Sequence, residues 1–246
     1  MAHSDRNDWE DIHAAVLKYV RSRGWENRIA CIDLETKILA KNEFLTGERI
    51  LAAGMSWFEN GKIRTWTKML AEETDKAEMN LLSALGVQIH VIRPLVLVGY
   101  NIAGYDYPLL CMKQKWWGEN IEEKLPDGRK KFPVEYWALK DGLTRSWILD
   151  IMHPARFHLS RKTGGPAKHL PLRDVLGSEE FAEVPFLRLK HLTNGQTSED
   201  KGKIIYGMWQ RNDPDLIRYL EGDVHDTLLL MKEIYKDVFG EESEKE

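Results

Sequence analysis

Ile29-Ala30-Cys31-Ile32-Asp33-Leu34-Glu35-Thr36 opens as an apolar run and closes on two carboxylates one residue apart. The first four residues suit a strand inside a sheet, and in a strand residues two apart point to the same side. Asp33 and Glu35 therefore face one spot at the edge of a core. Two like charges held there cost free energy unless a cation or hydrogen-bond donors neutralise them. The stretch thus poses the question of which cation answers it.

Working outward, the runs 50–58 and 62–68 are joined by Asn60-Gly61, the strongest short hairpin signal, so three strands come first as an antiparallel meander. Residues 75–91 begin with Asp75 and Glu78 in capping-box spacing, and Leu81, Leu82, Leu85 and Ile89 continue them as an amphipathic helix stopped before Pro94. Leu95-Val96-Leu97-Val98 is a continuous apolar run of the kind that forms a central parallel strand. It runs into a loop and a helix containing Leu109, Leu110 and Met112. Trp147-Ile148-Leu149-Asp150 is a fifth strand, with Asp150 in a capping or hydrogen-bonding role, and 160–169 is a basic loop. The last helix starts at Asp213 as cap with Pro214 at its first position and buries Ile217, Leu220, Val224, Leu228, Met231 and Ile234.

The 246 residues suit one domain with a sizeable core: a helical extension over 1–26, a folded unit over 27–240 and a charged tail over 241–246. In the extension, Ile12, Ala15, Val16, Tyr19 and Val20 form the apolar stripe and the charges a solvated face. A formal charge of −4 means that the whole-molecule field does not attract nucleic acid, so such binding must use local patches or metals. Cys31 and Cys111, the two cysteines, sit in apolar stretches and read as reduced core residues rather than a disulfide or a zinc framework. Neither a signal peptide nor a membrane span is legible, and the expected setting is soluble and cytoplasmic.

Further acids complete a pattern. Asp106 follows the apolar strand in Asn101-Ile102-Ala103-Gly104-Tyr105-Asp106, and Tyr219 and Asp223 are four apart on the last helix and so share a face. Asp8-Trp9-Glu10 also matches D-x-E, but on a helix, where it carries no function. The three motifs, in this order and over roughly 27–239, resemble the tyrosine subtype of the DEDD superfamily of 3′–5′ exonucleases, and within it the proofreading exonuclease domain of family B DNA polymerases. The resemblance implies an α/β, ribonuclease H-like fold, a mixed five-stranded sheet flanked by helices. It implies Asp33, Glu35, Asp106 and Asp223 as ligands of two Mg²⁺ or Mn²⁺ ions and Tyr219 as the residue that orients the attacking water. Carboxylate oxygens suit such hard cations, and two ions ~3.5–4 Å apart clamp the attacking and leaving oxygens of a phosphodiester. The histidine variant of the superfamily would need histidine at Arg218, so the tyrosine version fits; His169 and Asp174 have that spacing outside the last helix and are read as chance.

Asn101 and Tyr105 belong to the second motif and are candidates for shaping the path of the 3′ terminus. Tyr105 stands where phenylalanine is commoner in the family, and Gly222, directly before Asp223, loosens a helical turn and lets the backbone approach the sheet. For the substrate strand the candidates are Lys113, Lys115 and Trp116, which interleave charge with an aromatic ring, and Arg161, Lys162 and Lys168 on the basic loop. The implied activity is a stand-alone exonuclease that releases nucleoside 5′-monophosphates from single-stranded DNA or frayed 3′ ends, or from RNA, with a replication or repair protein as partner. The alternatives are an inactive nucleic-acid-binding or scaffold module of the same fold and a ribonuclease H-like endonuclease.

Overall fold

A computed structural model of the chain describes residues 8–38, 47–163, 170–187 and 198–240, with the side chains of 162, 163 and 198–200 left aside. The opening stretch is strand β1 (Ile29–Ile38), preceded by helix α1 (Asp8–Ser22). Strands β2 (Glu48–Glu59) and β3 (Lys62–Met69) follow, then helix α2 (Asp75–Ile92), β4 (Val96–Gly99), α3 (Asp106–Glu119), α4 (Val134–Arg145) and β5 (Trp147–Asp150). Helices α5 (Met152–Thr163), α6 (Leu172–Leu176), α7 (Ser198–Gln210), α8 (Pro214–Ile234) and α9 (Lys236–Phe239) complete the described chain. The sheet order is β3-β2-β1-β4-β5. Strand β1 pairs antiparallel with β2 and parallel with β4, and β5 extends the parallel half. Asn60 and Gly61 both take positive φ, 52° and 73°, as the tight β2–β3 hairpin requires.

The period of two in β1 sorts its side chains between two cores. Ala30, Ile32 and Leu34 pack with Leu81, Leu82 and Leu85 of α2 on one face. Ile29 and Cys31 pack with Val224 and Leu228 of α8 on the other. Each Leu, Ile or Val among them withdrawn from water contributes about 1.5–3 kcal/mol. Asp33 and Glu35 continue the odd-numbered set and meet α8, which starts as the sequence indicates: Asp213 accepts a bond from the Asp215 backbone N–H at 3.1 Å, with Pro214 next. Its stripe begins at fully buried Leu216 rather than at half-buried Ile217.

Several local expectations are corrected. Thr74, not Asp75, caps α2, accepting from the Ala77 N–H at 3.2 Å; the Glu78 carboxylate turns inward to the Ile50 N–H at 2.9 Å and to Lys113 Nζ at 2.8 Å. Helix α1 is rotated from the expected stripe, burying His13, Ala14, Leu17 and Val20 and leaving Ile12 and Tyr19 exposed. Glu10 belongs to the buried side, held by the two terminal guanidinium nitrogens of Arg161 at 2.9 and 3.0 Å, while His13 bonds the Tyr235 hydroxyl at 3.1 Å. Helix α5 continues through the start of the expected basic loop, and α4 and α7 occupy stretches with no sequence expectation. Among the described residues no helix is long and apolar enough to cross a membrane.

Candidate metal centre

Strand β1 and helix α8 bring one carboxylate oxygen each from Asp33, Glu35 and Asp223 within 4.8 Å of one another. Glu35 and Asp223 are buried at 5% and 3% exposure, deep enough that water does little to screen their repulsion. Asp106, the first residue of α3, is also buried, and its Oδ1 accepts the backbone N–H of Leu34 at 3.1 Å, between the two β1 acids. Asp106 thereby joins the cluster by its charge and by a bond to the strand, and stands outside the 4.8 Å group. Tyr219, 2% exposed, lies one turn before Asp223 on α8.

The loop that delivers Asp106 is fixed from below. Asp150, at the end of β5, accepts from the N–H groups of Asn101 and Ala103 at 3.0 and 3.1 Å and from that of Met152 at the start of α5. Asn101 takes φ +68° and its carbonyl accepts from Gly104 and Tyr105, a turn role. The Tyr105 hydroxyl donates to Glu48 of β2 and also meets Thr36 Oγ1. In this chain the tyrosine hydroxyl ties the residue before Asp106 to the sheet.

A cation already stands at the acids, and no motif announced it. Lys201 of α7 places Nζ 3.2 Å from Glu35 Oε1 and 5.3 Å from the centre of the Tyr219 ring. Burial opposes its charge, but Glu35, Tyr219, Asp223 and Asp33 more than offset that and hold its pKa well above the usual lysine value. The only hint in the sequence was the unanswered charge of the acids, which does not say which lysine answers.

Burial, followed by the charges of Asp106, Asp223 and Glu35, raises the Asp33 pKa well above the carboxylate range. Burial first, then Glu35, pushes Asp106 up to about 8 against the stabilising Leu34 N–H. Without metal, the folded state therefore holds a proton on Asp106 that the unfolded chain releases near pH 4. Stability from this group is present below about pH 4 and declines as pH rises from there toward about 8. Asp106→Asn keeps an oxygen for the Leu34 N–H and removes the charge. In EDTA at pH 8 it is expected to raise Tm by several degrees, the effect of about 1–2 kcal/mol in a chain of this size, and to gain much less at pH 5. An equal gain at both pH values, by thermal denaturation, would show that charge is not the cause.

The substrate candidates scatter. Lys113 is a correction: it is 8% exposed and committed to Glu78, because a buried carboxylate on α2 demands a cation there. Lys115 is exposed, 3.9 Å from Glu119, and Trp116 is half-buried against the core. Arg161 is engaged with Glu10. The side chain of Lys162, and the whole of Lys168 and His169, lie outside the described residues. His225 bonds Asp226, which also accepts the Leu187 N–H at 2.8 Å, so this pair is structural.

The donor set fits a hard divalent cation: oxygen atoms only, on two rigid elements, with negative charge in excess of that of Lys201. No family model and no curated protein matches the chain. Among solved structures it is similar to the family B DNA polymerase from the hyperthermophilic archaeon Pyrobaculum calidifontis, with a TM-score of 0.53 and 18% sequence identity over 84% of this chain. The match covers 24% of the polymerase chain, so this chain spans about a quarter of its length. With the sheet order and mixed pairing above, the likeness establishes the fold as ribonuclease H-like, α/β with a five-stranded mixed sheet flanked by helices.

Proposed function

We propose that the chain is a metal-dependent nuclease, and more finely a 3′–5′ exonuclease that hydrolyses the terminal phosphodiester of DNA or RNA to release nucleoside 5′-monophosphates. The observation that carries the reading is the meeting of Asp33, Glu35 and Asp223 within 4.8 Å, with Asp106 bonded to the same strand and Tyr219 one turn away. Asp33, Glu35, Asp106 and Asp223 would hold Mg²⁺ or Mn²⁺, which supplies Lewis-acid stabilisation of the phosphoryl charge and a water of lowered pKa. The protein's own groups do the rest. Lys201 sets a permanent positive charge beside Glu35, where it offsets charge developing on a phosphate.

Burial first, then Asp223 and Glu35, raises the Tyr219 pKa beyond the phenol range, so its hydroxyl stays protonated at working pH. Tyr219 then acts by orienting a water through a hydrogen bond, not by removing its proton. Tyr219→Phe is expected to lower kcat about tenfold and leave KM and the alkaline limb of the pH profile unchanged. A shifted alkaline limb would make Tyr219 the titrating base.

The 3.2 Å contact of Lys201 with Glu35 favours one second reading, an inactive nucleic-acid-binding module in which the lysine closes the acids for good. One assay separates the two. Purified protein is incubated with 5′-labelled single-stranded DNA, matched RNA, a 3′-mismatched duplex and circular DNA, each with Mg²⁺, Mn²⁺ or EDTA. A ladder shortening from the 3′ end in metal alone, with the circle intact, is the expected result, and the fastest substrate names the polymer. Cleavage of the circle would make it an endonuclease, and binding without cleavage would favour the closed module. A replication or repair protein as partner is part of this proposal.

A further inference from the structure

Helix α7 also lines a cavity at its C-terminal end. Eight residues after Lys201, about 12 Å along a helix, Trp209 forms a wall of a surface cavity of about 420 Å³ shared with Leu70, Ala71, Gln210 and Asn212. The indole is fixed from several sides. Its Nε1–H donates to the Leu70 carbonyl at 2.7 Å, and the Tyr206 ring stacks on it at 5.7 Å between centroids and 17° between planes. Tyr206 is in turn held by its hydroxyl bond to Glu73 at 2.8 Å and by Lys37 Nζ 3.9 Å from its ring centre. Asn212 closes the helix in the left-handed region, φ +51°, its N–H bonded to the Trp209 carbonyl at 2.9 Å.

A flat aromatic wall held rigid and two side-chain amides able to donate and accept match the face and edge of a nucleobase. Arg211, between Gln210 and Asn212 and 3.8 Å from Asp213, and Lys68, two residues before Leu70, are both exposed and would meet a phosphate backbone. We propose that this cavity is a nucleobase subsite for the single strand entering the metal centre, taking a base roughly three or four nucleotides upstream of the scissile phosphate, from the ~12 Å of helix and a stacked rise of ~3.4 Å. The proposal rests on the nuclease reading and adds to it a place where the strand is gripped away from the chemistry.

The test walks a single abasic residue through a 5′-labelled twelve-nucleotide strand, as DNA and as RNA, and measures affinity by fluorescence anisotropy with Ca²⁺ replacing Mg²⁺. One position, three or four from the 3′ end, is expected to weaken binding about fivefold to a hundredfold, the worth of one stacked base. Trp209→Ala loses the same factor on the intact strand and abolishes the position dependence; Trp209→Phe keeps most of both. Trp209 also packs on the core, so exposed Gln210→Ala serves as the variant that leaves Tm unchanged, and it is expected to alter the preference among bases at that position alone. Equal effects of the abasic residue at every position, or position dependence that survives Trp209→Ala, would overturn the subsite while the nuclease reading stands. No binding of any strand would overturn both.

Discussion

Asp33→Ala and Asp223→Ala, made separately, are each expected to slow phosphodiester hydrolysis by about 10³-fold or more while leaving Tm unchanged or raised. Each removes one oxygen donor from a three-carboxylate group whose members come from two elements, and the loss of one well-aimed electrostatic group at a reacting centre is worth roughly 10²–10³ in rate even without a metal. Loss of a cation ligand adds to that. Stability should move the other way. Burial and three neighbouring acids disfavour the ionised Asp33, so deleting it relieves repulsion in the metal-free protein. A purely structural acid would lose activity and stability together, whereas opposed changes identify a group kept for chemistry at a cost to the fold. Rate and Tm measured on the same preparations decide it, and Asp33→Ala retaining the wild-type rate would remove the metal assignment.

The parts of this site that the sequence announced are those fixed by local periodicity. Two-residue spacing in an apolar strand is enough to put Asp33 and Glu35 on one side, and the Asp213-Pro214 start sets the phase of α8, so that Tyr219 and Asp223 follow. The parts it did not announce depend on partners far along the chain. Glu10 and His13 lie inside because Arg161 and Tyr235, 151 and 222 positions away, receive them, while Ile12 and Tyr19, equally apolar, stay exposed. Lys113 reads as a surface cation until Glu78 is seen to be buried beside it. Lys201 is the same case in the site itself: a helix with no motif carries a cation that meets the acids. Patterning sorts apolar from polar faces, but which buried charge meets which is settled only when the elements dock.

Gly54→Val is expected to lower activity about 10²-fold and stability by about 1–3 kcal/mol, although Gly54 has no side chain that could serve as a ligand. Gly54 lies on β2 directly opposite Asp33 in the ladder, where α8 crosses the sheet. A Cβ at this position would stand 2.7 Å from Leu220 Cγ and 3.2 Å from Val224 Cγ1, and these two side chains bracket Asp223 on the helix. The Ser56 hydroxyl, two residues along β2, donates to the Val224 carbonyl at 2.7 Å and holds the helix at that height. A stiff β-branched side chain would lift α8 and carry Asp223 away from Asp33 and Glu35 without the loss of any carboxylate from the sequence. The signature is a rise in the Mn²⁺ concentration for half-maximal activity, partial in Gly54→Ala and larger in Gly54→Val, with Tm falling in step. Activity lost at unchanged metal dependence would mean that the helix is seated elsewhere. A graded response would show that an apolar contact with no chemistry of its own sets the distance at which three carboxylates share a cation.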